Sequence, residues 1–551
     1  MGPLGGRSGR GDPTAAGPVT ALLAAAPVFA VVLAIGLRAS SRTAALSGLA
    51  VAAVVTAIGF PVSWRTLAAA GWEWAPTGVE VMLILAGGIC FAEAGRATGI
   101  QDTISRWVQR AFGTGVGPVL AIVHGLTPLT ESVTGYGVGA AIAVPLILAL
   151  GVPGPRAAAV SLCGLCTVPW GSMGPGTLIG AQLGGVTLDE IGVASALFTL
   201  PVTIATGIGA AVLVAAPERR WRAALAGAGS GTLLAAGILA ANLAVGTPPA
   251  GALGAVLTLG VHAAIRRLRA RAATAGSGAV GGAGGPERTV GEPGELSRAA
   301  VPYGVVLGGM LVAHTVFRLA PSVPAGVRSV LGSPAWWLAC AIAVIFLTRD
   351  ADRREILRGA GRMWARVAPP TAVFLLLGIL MSTAGMSQAI AGALAALGTP
   401  VVLALPFLAG FSGFITGSNT GANALAAASQ GEVARALALD APLVMGAHNA
   451  AASVAVMSAP ARVELAAQLA RVPAARTRIQ LFAWGTALAA CAGIAGMSAA
   501  LTGAGLMYRG RGGCPASRGR LPGRARRLSS RAPPRRRRCA GDPRRPPSSR
   551  G

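Results

Sequence analysis

The chain has 551 residues, of which 53% are hydrophobic and 12% charged, and its mean hydropathy is +0.64. This balance excludes a soluble globular protein, in which about a quarter of the residues are charged. Apolar stretches of about 20 residues, each long enough to span a bilayer, recur along the chain. We therefore predict an all-α polytopic membrane protein with about 12–14 transmembrane helices.

The formal net charge of +27 suggests nucleic-acid binding, but its distribution argues against that interpretation. Residues 509–551 hold fifteen arginines and one aspartate, so +14 of the charge lies in a tail rich in Gly, Pro, Arg and Ser. Such a segment cannot bury a core, and we predict that residues 508–551 are disordered. We expect a lipid bilayer as the surroundings of the chain and no nucleic-acid partner.

In chain order, a short tail (residues 1–18) precedes the first apolar window, which is as long as a full span and is followed at once by others. We interpret that window as a membrane helix and not as a cleaved signal peptide. A first transmembrane half is predicted over residues 19–264 and a second over 301–507. Between them, residues 265–300 combine arginines with a Gly/Ala/Ser run, which is typical of a flexible polar linker.

The first half contains an unusual interruption, TESVTGYGVGAA, at residues 130–141. Its glycines and hydroxyl groups lie between apolar segments, and such irregular backbone is tolerated at membrane depth only where it faces protein or water. Glu131 is flanked by apolar sequence that places it inside the membrane, where a carboxylate is expensive and therefore functional by default. We predict that Glu131 carries a proton, and that this proton is the one coupled to movement of a substrate. The alternative is a loop glutamate at the membrane interface.

The second half repeats this interruption 286 residues later, as TGSNTGANALAA at residues 416–427. The two segments share Thr, Ser, Thr, Gly, Ala and Ala at six of twelve positions. A matched pair of broken segments in the two halves of a membrane chain is typical of the substrate site of a secondary transporter. A helix that begins at such a break directs its positive end at the midplane and can bind an anion. The alternative is close helix packing through small residues.

Each motif is followed by a second polar interruption, around Ser172 in the first half and around Asn449 and Ser458 in the second. We predict that the substrate is held by residues of both motifs together with one downstream amide. These candidates are Thr130, Ser132, Thr134, Gly135, Tyr136, Gly137, Thr416, Gly417, Ser418, Asn419, Thr420, Asn423 and Asn449.

The seven cysteines and four histidines show no disulfide framework and no spacing typical of a metal site. The chain also lacks the HExxH and GxSxG motifs of membrane-embedded hydrolases. We therefore expect no metal, no cofactor and no enzymatic activity.

The motifs resemble the lactate permease family of proton-coupled monocarboxylate transporters. Members carry Glu-Gly-x-x-Gly-Phe-Gly in the first half and Phe-x-Thr-Gly-Ser-Asp-Thr-x-x-Asn-Ala-Leu in the second. Here the first stretch runs from Glu131 to Gly137 and the second from Phe414 to Leu425, and the resemblance covers roughly residues 20–507. The chain differs at three family positions, which hold Ser132, Tyr136 and Asn419.

The resemblance implies a multi-pass protein of the bacterial cell membrane that moves a small 2-hydroxymonocarboxylate, such as L-lactate or glycolate, together with H⁺. Because Asn419 stands where the family has an Asp, another organic anion or Na⁺ coupling is the alternative within the same class. A passive channel is the alternative of a different class. The residues leave the oligomeric state open.

Overall fold

The computed structural model describes residues 17–112, 115–135, 137–276, 293–320 and 322–508. These residues are almost entirely helical, and the prediction of an all-α membrane fold is confirmed. The helices up to residue 276 are α1 Pro18–Gly36, α2 Ser41–Gly59, α3 Trp64–Ala97, α4 Ile100–Phe112, α5 Val116–Ala121, α6 Thr127–Thr134, α7 Val138–Ala149, α8 Gly154–Cys163, α9 Pro175–Gly184, α10 Leu188–Val214, α11 Arg220–Ala244 and α12 Ala250–Gly276.

The helices after residue 292 are α13 Pro293–Leu319, α14 Ala325–Gly332, α15 Pro334–Thr348, α16 Arg353–Ala384, α17 Met386–Ala395, α18 Val401–Thr416, α19 Asn419–Ala436, α20 Ala441–Ala455, α21 Pro460–Leu469 and α22 Arg476–Gly503. Short segments of other geometry join some of them: a π-helix at Ile122–Leu126 and 3₁₀ segments at Gly164–Met173, Pro217–Arg219, Val456–Ser458 and Pro473–Ala475.

Local chemistry explains where many of these helices begin. Ser40, Ser63 and Asp352 accept hydrogen bonds from the first backbone amides of α2, α3 and α16. Thr187 and Glu190 form a reciprocal capping box at the start of α10. These caps satisfy amide groups that have no partner within the helix, so each start is specified by the local sequence.

By length and composition, nine helical segments within the described residues can cross a membrane. Two further pairs qualify only jointly, because a 75° bend separates Gly154–Met173 from Pro175–Gly184 and a 55° bend separates α14 from α15. Three apolar helices of 10–17 residues, α7, α17 and α18, are shorter than a bilayer is thick. Crossings beyond the nine segments and two pairs would therefore have to be assembled from short helices that meet at breaks.

Two stretches of the chain have the same helix order. A shift of 286 residues brings the starts of α2, α3, α4, α5, α7, α8, α9 and α10 to within five residues of the starts of α14, α16, α17, α18, α19, α20, α21 and α22. We name residues 18–214 the first repeat and residues 293–503 the second repeat. Helices α11 and α12 lie between them in the chain.

Contacts between the repeats are reciprocal. Helix α9 packs on α19 while α21 packs on α7, α10 packs on α20 while α22 packs on α8, and α1 packs on α17 while α13 packs on α4. The equivalent helices α3 and α16 pack on each other, as do α10 and α22. Reciprocal contacts of this kind are the signature of a two-fold relation. The repeats therefore interlock within one compact unit.

The termini and the linker are described only in part. Helix α1 begins within the predicted N-terminal tail, at Pro18, and the tail beyond Tyr508 lies outside the described residues, as do residues 277–292. At both ends of the predicted linker the chain is helical, because α12 continues to Gly276 and α13 begins at Pro293. Alanine and arginine, which fill the end of α12, are among the strongest helix formers.

Candidate functional site

The first motif lies at a break between two helices. A continuous helix runs over Val116–Thr134, stops at Gly135 and resumes as α7 after Gly137. Gly135 and Gly137 have φ angles of +68° and +85°, which only glycine adopts readily. The glycines are thus what allows the chain to break here.

Glu131 lies in the last turn of the helix before this break and is only 3% exposed. Both of its carboxylate oxygens accept a hydrogen bond from the Gly137 amide, at 3.0 and 3.1 Å, and Oε2 also accepts one from the Gly139 amide at 3.1 Å. These amides form the start of α7, whose dipole favours a negative charge there. The sequence predicts that the positive end of such a helix binds a substrate anion. At the start of α7, the carboxylate of Glu131 occupies that position instead.

The wall of this break is the 3₁₀ segment Gly164–Met173. Ser172 packs against Gly135 and Gly88 so closely that a Cβ on either glycine would collide with it. Ser172 and Met173 have φ angles of +47° and +63°, a strained conformation for residues with side chains. Backbone strain thus accumulates at the 75° bend before α9, directly beside the first motif.

The hydroxyl groups of the first motif differ in their partners. Thr130 and Thr134 donate to carbonyl oxygens of their own helix, at 2.9 and 2.6 Å. Ser132 Oγ and Ser172 Oγ are buried and have no hydrogen-bond partner among the described residues. Among the predicted substrate contacts of this motif, Ser132 therefore has a hydroxyl without a partner in the described part of the chain. Tyr136 lies outside the described residues.

The second motif forms the equivalent break in the second repeat. Helix α18 ends at Thr416, Gly417 has a φ of +62°, and the Ser418 side chain caps α19 through the Gly421 amide. Thr416 Oγ1 donates to the carbonyl oxygens of Ser412 and Ser418. Thr420 is buried in the first turn of α19.

Three predicted asparagines are brought together behind this break. Asn449 Oδ1 accepts hydrogen bonds from Asn419 Nδ2 at 3.1 Å and from Asn423 Nδ2 at 3.0 Å. Its own Nδ2 donates to Thr177 Oγ1 and Ser195 Oγ of the first repeat, at 3.0 and 2.9 Å. We name Asn419, Asn423 and Asn449 the asparagine cluster. It links the two repeats by hydrogen bonds between neutral side chains.

The contacts of the described residues join each motif to the downstream break of the opposite repeat. The start of α19 lies against Gly176 at the start of α9, where a Cβ would crowd Asn419 and the Thr420 amide. The start of α7 lies against Arg462 at the start of α21, where a Cβ on Gly137 would collide with the guanidinium. Positions 176 and 462 are 286 residues apart, so these two contacts are equivalent under the repeat.

Sequence reasoning missed Arg462, Thr177 and Ser195. Arg462 brings a cation to the break that holds Glu131, and Thr177 and Ser195 hold the amide of Asn449. The repeat offset was the available signal for Arg462, because it pairs this residue with Gly176 in the first downstream break.

A cavity of about 650 Å³ reaches the first motif from between α3, α4, α7 and α16. Thr134, Val138 and Ala141 of the first motif are among its lining residues. Its other lining residues include four charged side chains, Glu93, Arg96, Asp102 and Arg106. The volume lies in the range of small-molecule sites, and the lining is mostly apolar, with the charged groups on α3 and α4.

The family model described as L-lactate permease matches residues 20–327 and 329–475 of the chain. The match covers both motifs and both downstream breaks. No curated protein matches the chain.

Proposed function

Because the chain belongs to the L-lactate permease family, we propose that it is a secondary active transporter that takes up or exchanges a small 2-hydroxymonocarboxylate by proton symport. L-Lactate and glycolate are the expected substrates, and the bacterial plasma membrane is the expected location. The nine long apolar segments among the described residues support a multi-pass membrane protein.

The observation that carries the proton-coupling proposal is the contact between Glu131 and the start of α7. An ionised Glu131 occupies the Gly137 and Gly139 amides, which are the donors that a substrate carboxylate needs. When Glu131 takes up a proton, it loses the charge that these amides stabilise. A substrate carboxylate can then replace it, so that one proton and one anion bind together.

Neighbouring groups suit the remainder of such a substrate. Ser132 Oγ is buried, has no hydrogen-bond partner in the described part of the chain, and can bond a hydroxyl on the carbon next to the carboxylate. The Arg462 guanidinium against Gly137 adds positive charge on the side of the second repeat. The bound proton cancels the charge of Glu131, and the substrate carboxylate brings one negative charge. Replacement of Glu131 by substrate thus leaves the net charge at the break unchanged.

Alternating access is proposed to use the two breaks as hinges. The cavity of about 650 Å³ reaches the first motif at Thr134 and Val138. Strained Ser172 packs against Gly135 of the same motif. The residues of the second motif, with the asparagine cluster, are proposed to take over polar contacts to the substrate when the repeats move. In the conformation described, their side chains bond to each other and to the first repeat.

A second candidate is Na⁺ coupling, and one observation favours it. Asn423 Oδ1 is buried and accepts no hydrogen bond from the described residues. Amide oxygens are suitable ligands for hard cations. A sodium-driven transporter would use this oxygen in place of the Glu131 proton.

The test is uptake of labelled L-lactate into proteoliposomes with an inward proton gradient, an inward sodium gradient, or neither. Wild type is expected to accumulate lactate under the proton gradient. Glu131→Gln keeps a side chain that can accept from the α7 amides but cannot gain or lose the proton. It is expected to lose gradient-driven accumulation and to retain lactate counterflow. Glu131→Asp, which keeps the charge, is expected to retain part of the coupling.

Glu80→Gln is the matched control, because Glu80 is a half-buried carboxylate of α3 outside both motifs. It should accumulate lactate as wild type does. Accumulation by Glu131→Gln equal to wild type would contradict the role of Glu131. Accumulation under the sodium gradient alone would select the second candidate, and a folded wild type that moves lactate under neither gradient would overturn the substrate assignment.

A further inference from the structure

Three side chains outside both motifs form a continuous hydrogen-bonded chain. His124 Nδ1 lies 3.0 Å from Ser230 Oγ, and Ser230 Oγ lies 2.9 Å from His262 Nε2. The three residues come from the π-helix Ile122–Leu126, from α11 and from α12. His124 is completely buried, whereas His262 is partly exposed. Two imidazoles joined by one hydroxyl are the components of a proton relay.

The partners assign a direction to this chain. Thr206 Oγ1 donates to the Val202 carbonyl at 2.9 Å, so it accepts from His124 Nε2, which lies 3.4 Å away. His124 Nδ1 is then the unprotonated nitrogen and accepts from the Ser230 hydroxyl. The lone pairs of Ser230 Oγ remain to accept from His262 Nε2–H. His124 alone would accept the hydroxyl proton of Ser230. The hydrogen bond from His262 is therefore not needed to satisfy Ser230, and we assign it a function.

The two ends of the chain lie in different surroundings. His262 precedes Arg266 by one helical turn, at the arginine-rich end of α12, which the positive-inside rule predicts to be cytoplasmic. His124 lies seven residues before Glu131 in the continuous helix Val116–Thr134. Thr127 lies between them, and its hydroxyl is buried without a hydrogen-bond partner among the described residues.

We propose that His262, Ser230 and His124 form a proton path between the arginine-rich end of α12 and the helix that carries Glu131. This proposal rests on the proposed function, because it names the route of the coupling proton. In one direction, a proton binds to His262 Nδ1, His262 Nε2 passes its proton to Ser230 Oγ, and Ser230 passes its own proton to His124 Nδ1. His124 then holds a proton on both nitrogens, within the helix that carries Glu131. The path resets when His124 gives up its Nε2 proton, the rings exchange tautomers and the hydroxyl rotates.

In the described part of the chain, the elements around this path bring a thiol and an arginine near it. The Cys166 thiol of the 3₁₀ segment lies near Thr206 of α10, and Arg266 follows His262 on α12. The contacts from α11 are made by Ser230 and by Gly227, which packs against Gly207 beside His124. The pH dependence of a proton transfer here is therefore expected to follow the two histidines.

The experiment measures lactate uptake and internal pH together in proteoliposomes of the full chain, for wild type, Ser230→Ala, Ser230→Thr and His262→Gln. Ser230→Ala removes the bridging hydroxyl and is expected to lower proton-driven uptake by about a hundredfold, the lower end of what a positioned proton-transfer group contributes. His262→Gln keeps a hydrogen-bond donor for Ser230 but cannot pass a proton, and the same loss is expected. Ser230→Thr restores the hydroxyl and the rate.

Lactate counterflow, which requires no net proton transfer, should stay at the wild-type rate in every variant. Ser161→Ala is the matched control, because Ser161 is buried in α8 and donates to the Ala158 carbonyl of its own helix. Its proton-driven uptake should equal that of wild type.

Proton-driven uptake and a pH profile unchanged in both Ser230→Ala and His262→Gln would overturn the path while the proposed function stands. Equal loss of counterflow and uptake would also overturn it, because that result indicates a structural role. Absence of proton-coupled uptake in wild type would overturn the proposed function, and the path with it.

Discussion

At the scale of single residues, Asn449 has the most cross-repeat hydrogen bonds of the predicted substrate contacts. It bonds Asn419 and Asn423 on one side and Thr177 and Ser195 on the other. A buried amide can satisfy groups from both repeats at once because it carries a donor and an acceptor. The residue therefore combines a proposed role at the site with a role in holding the repeats together.

Asn449→Ala is expected to destabilise the protein by about 1–3 kcal/mol, because Asn419 Nδ2 loses its acceptor in a buried environment. The midpoint of thermal unfolding in detergent should fall accordingly. Asn242→Ala is the control, since Asn242 is buried in α11 but donates only to the Ile238 carbonyl of its own helix. An equal fall in both variants would contradict the link between repeats.

The asparagine cluster also bears on the difference between this chain and the family motif. Asn419→Asp restores the family residue and places a carboxylate between Asn423 and Asn449. The carboxylate can accept from the Asn423 amide but cannot donate to Asn449 Oδ1. We expect lower thermal stability than wild type near neutral pH and recovery at acidic pH, where a protonated Asp can donate. Unfolding midpoints measured at several pH values check this, and a pH-independent difference from wild type would contradict it.

At the scale of helices, close crossings depend on glycines that lack a side chain. Gly413 of α18 lies against the Ala452 carbonyl of α20, so a Cβ there would collide with backbone. Such contacts let helices approach closely where lipid offers no hydrophobic drive for association. They also keep the second break close to Asn449 on α20.

Gly413→Ala is expected to destabilise the protein by about 1–3 kcal/mol through overpacking. Gly496→Ala on α22 is the matched control, because no atom outside its own helix lies within 4 Å of the added Cβ. That substitution should leave stability unchanged or raise it by up to about 1 kcal/mol through helix propensity. Thermal unfolding of the two variants provides the comparison, and a neutral Gly413→Ala would contradict the close crossing.

At the scale of the whole molecule, the repeats are held together by many reciprocal helix pairs and not by the segment that connects them. Helices α9, α10 and α3 of the first repeat pack on α19, α20 and α16 of the second. We therefore expect two polypeptides, separated within residues 277–292 and expressed together, to assemble and transport lactate. Either polypeptide alone should not transport. Co-purification through a tag on one of them is the measurement, and failure to co-purify would contradict an interface that forms without the connection.

Several features were predictable from the sequence because they depend on local chemistry. Apolar length identifies membrane helices, and a glycine with positive φ permits a break wherever the chain needs one. Both breaks lie where the motifs predicted them, at Gly135 to Gly137 and at Gly417. The identification of the family also follows from these residues, since the matching positions have a fixed spacing within each motif.

Both ends of the predicted linker are helical in the structure, and the reason is again local chemistry. The Gly/Ala/Ser run predicts a flexible linker over residues 265–300, although the arginines and alanines at its start favour helix. Helix α12 therefore continues well into the predicted linker, to Gly276. Polarity shows where a chain leaves the membrane, and it does not show where a helix ends.

The sequence by itself determined the membrane class, the two-fold repeat of 286 residues, the positions of both breaks and the buried carboxylate. Only the tertiary structure decided what each break contacts: Glu131 against the α7 amides, Arg462 against Gly137, and Asn449 between the repeats. The physical reason is the range of the interactions. Helix breaks and membrane insertion depend on neighbours in the chain. The contacts of Arg462 with Gly137 and of Asn449 with Ser195 join residues hundreds of positions apart, which only the packing of whole helices brings together. The Glu131 contact depends on the direction in which α7 continues after the break.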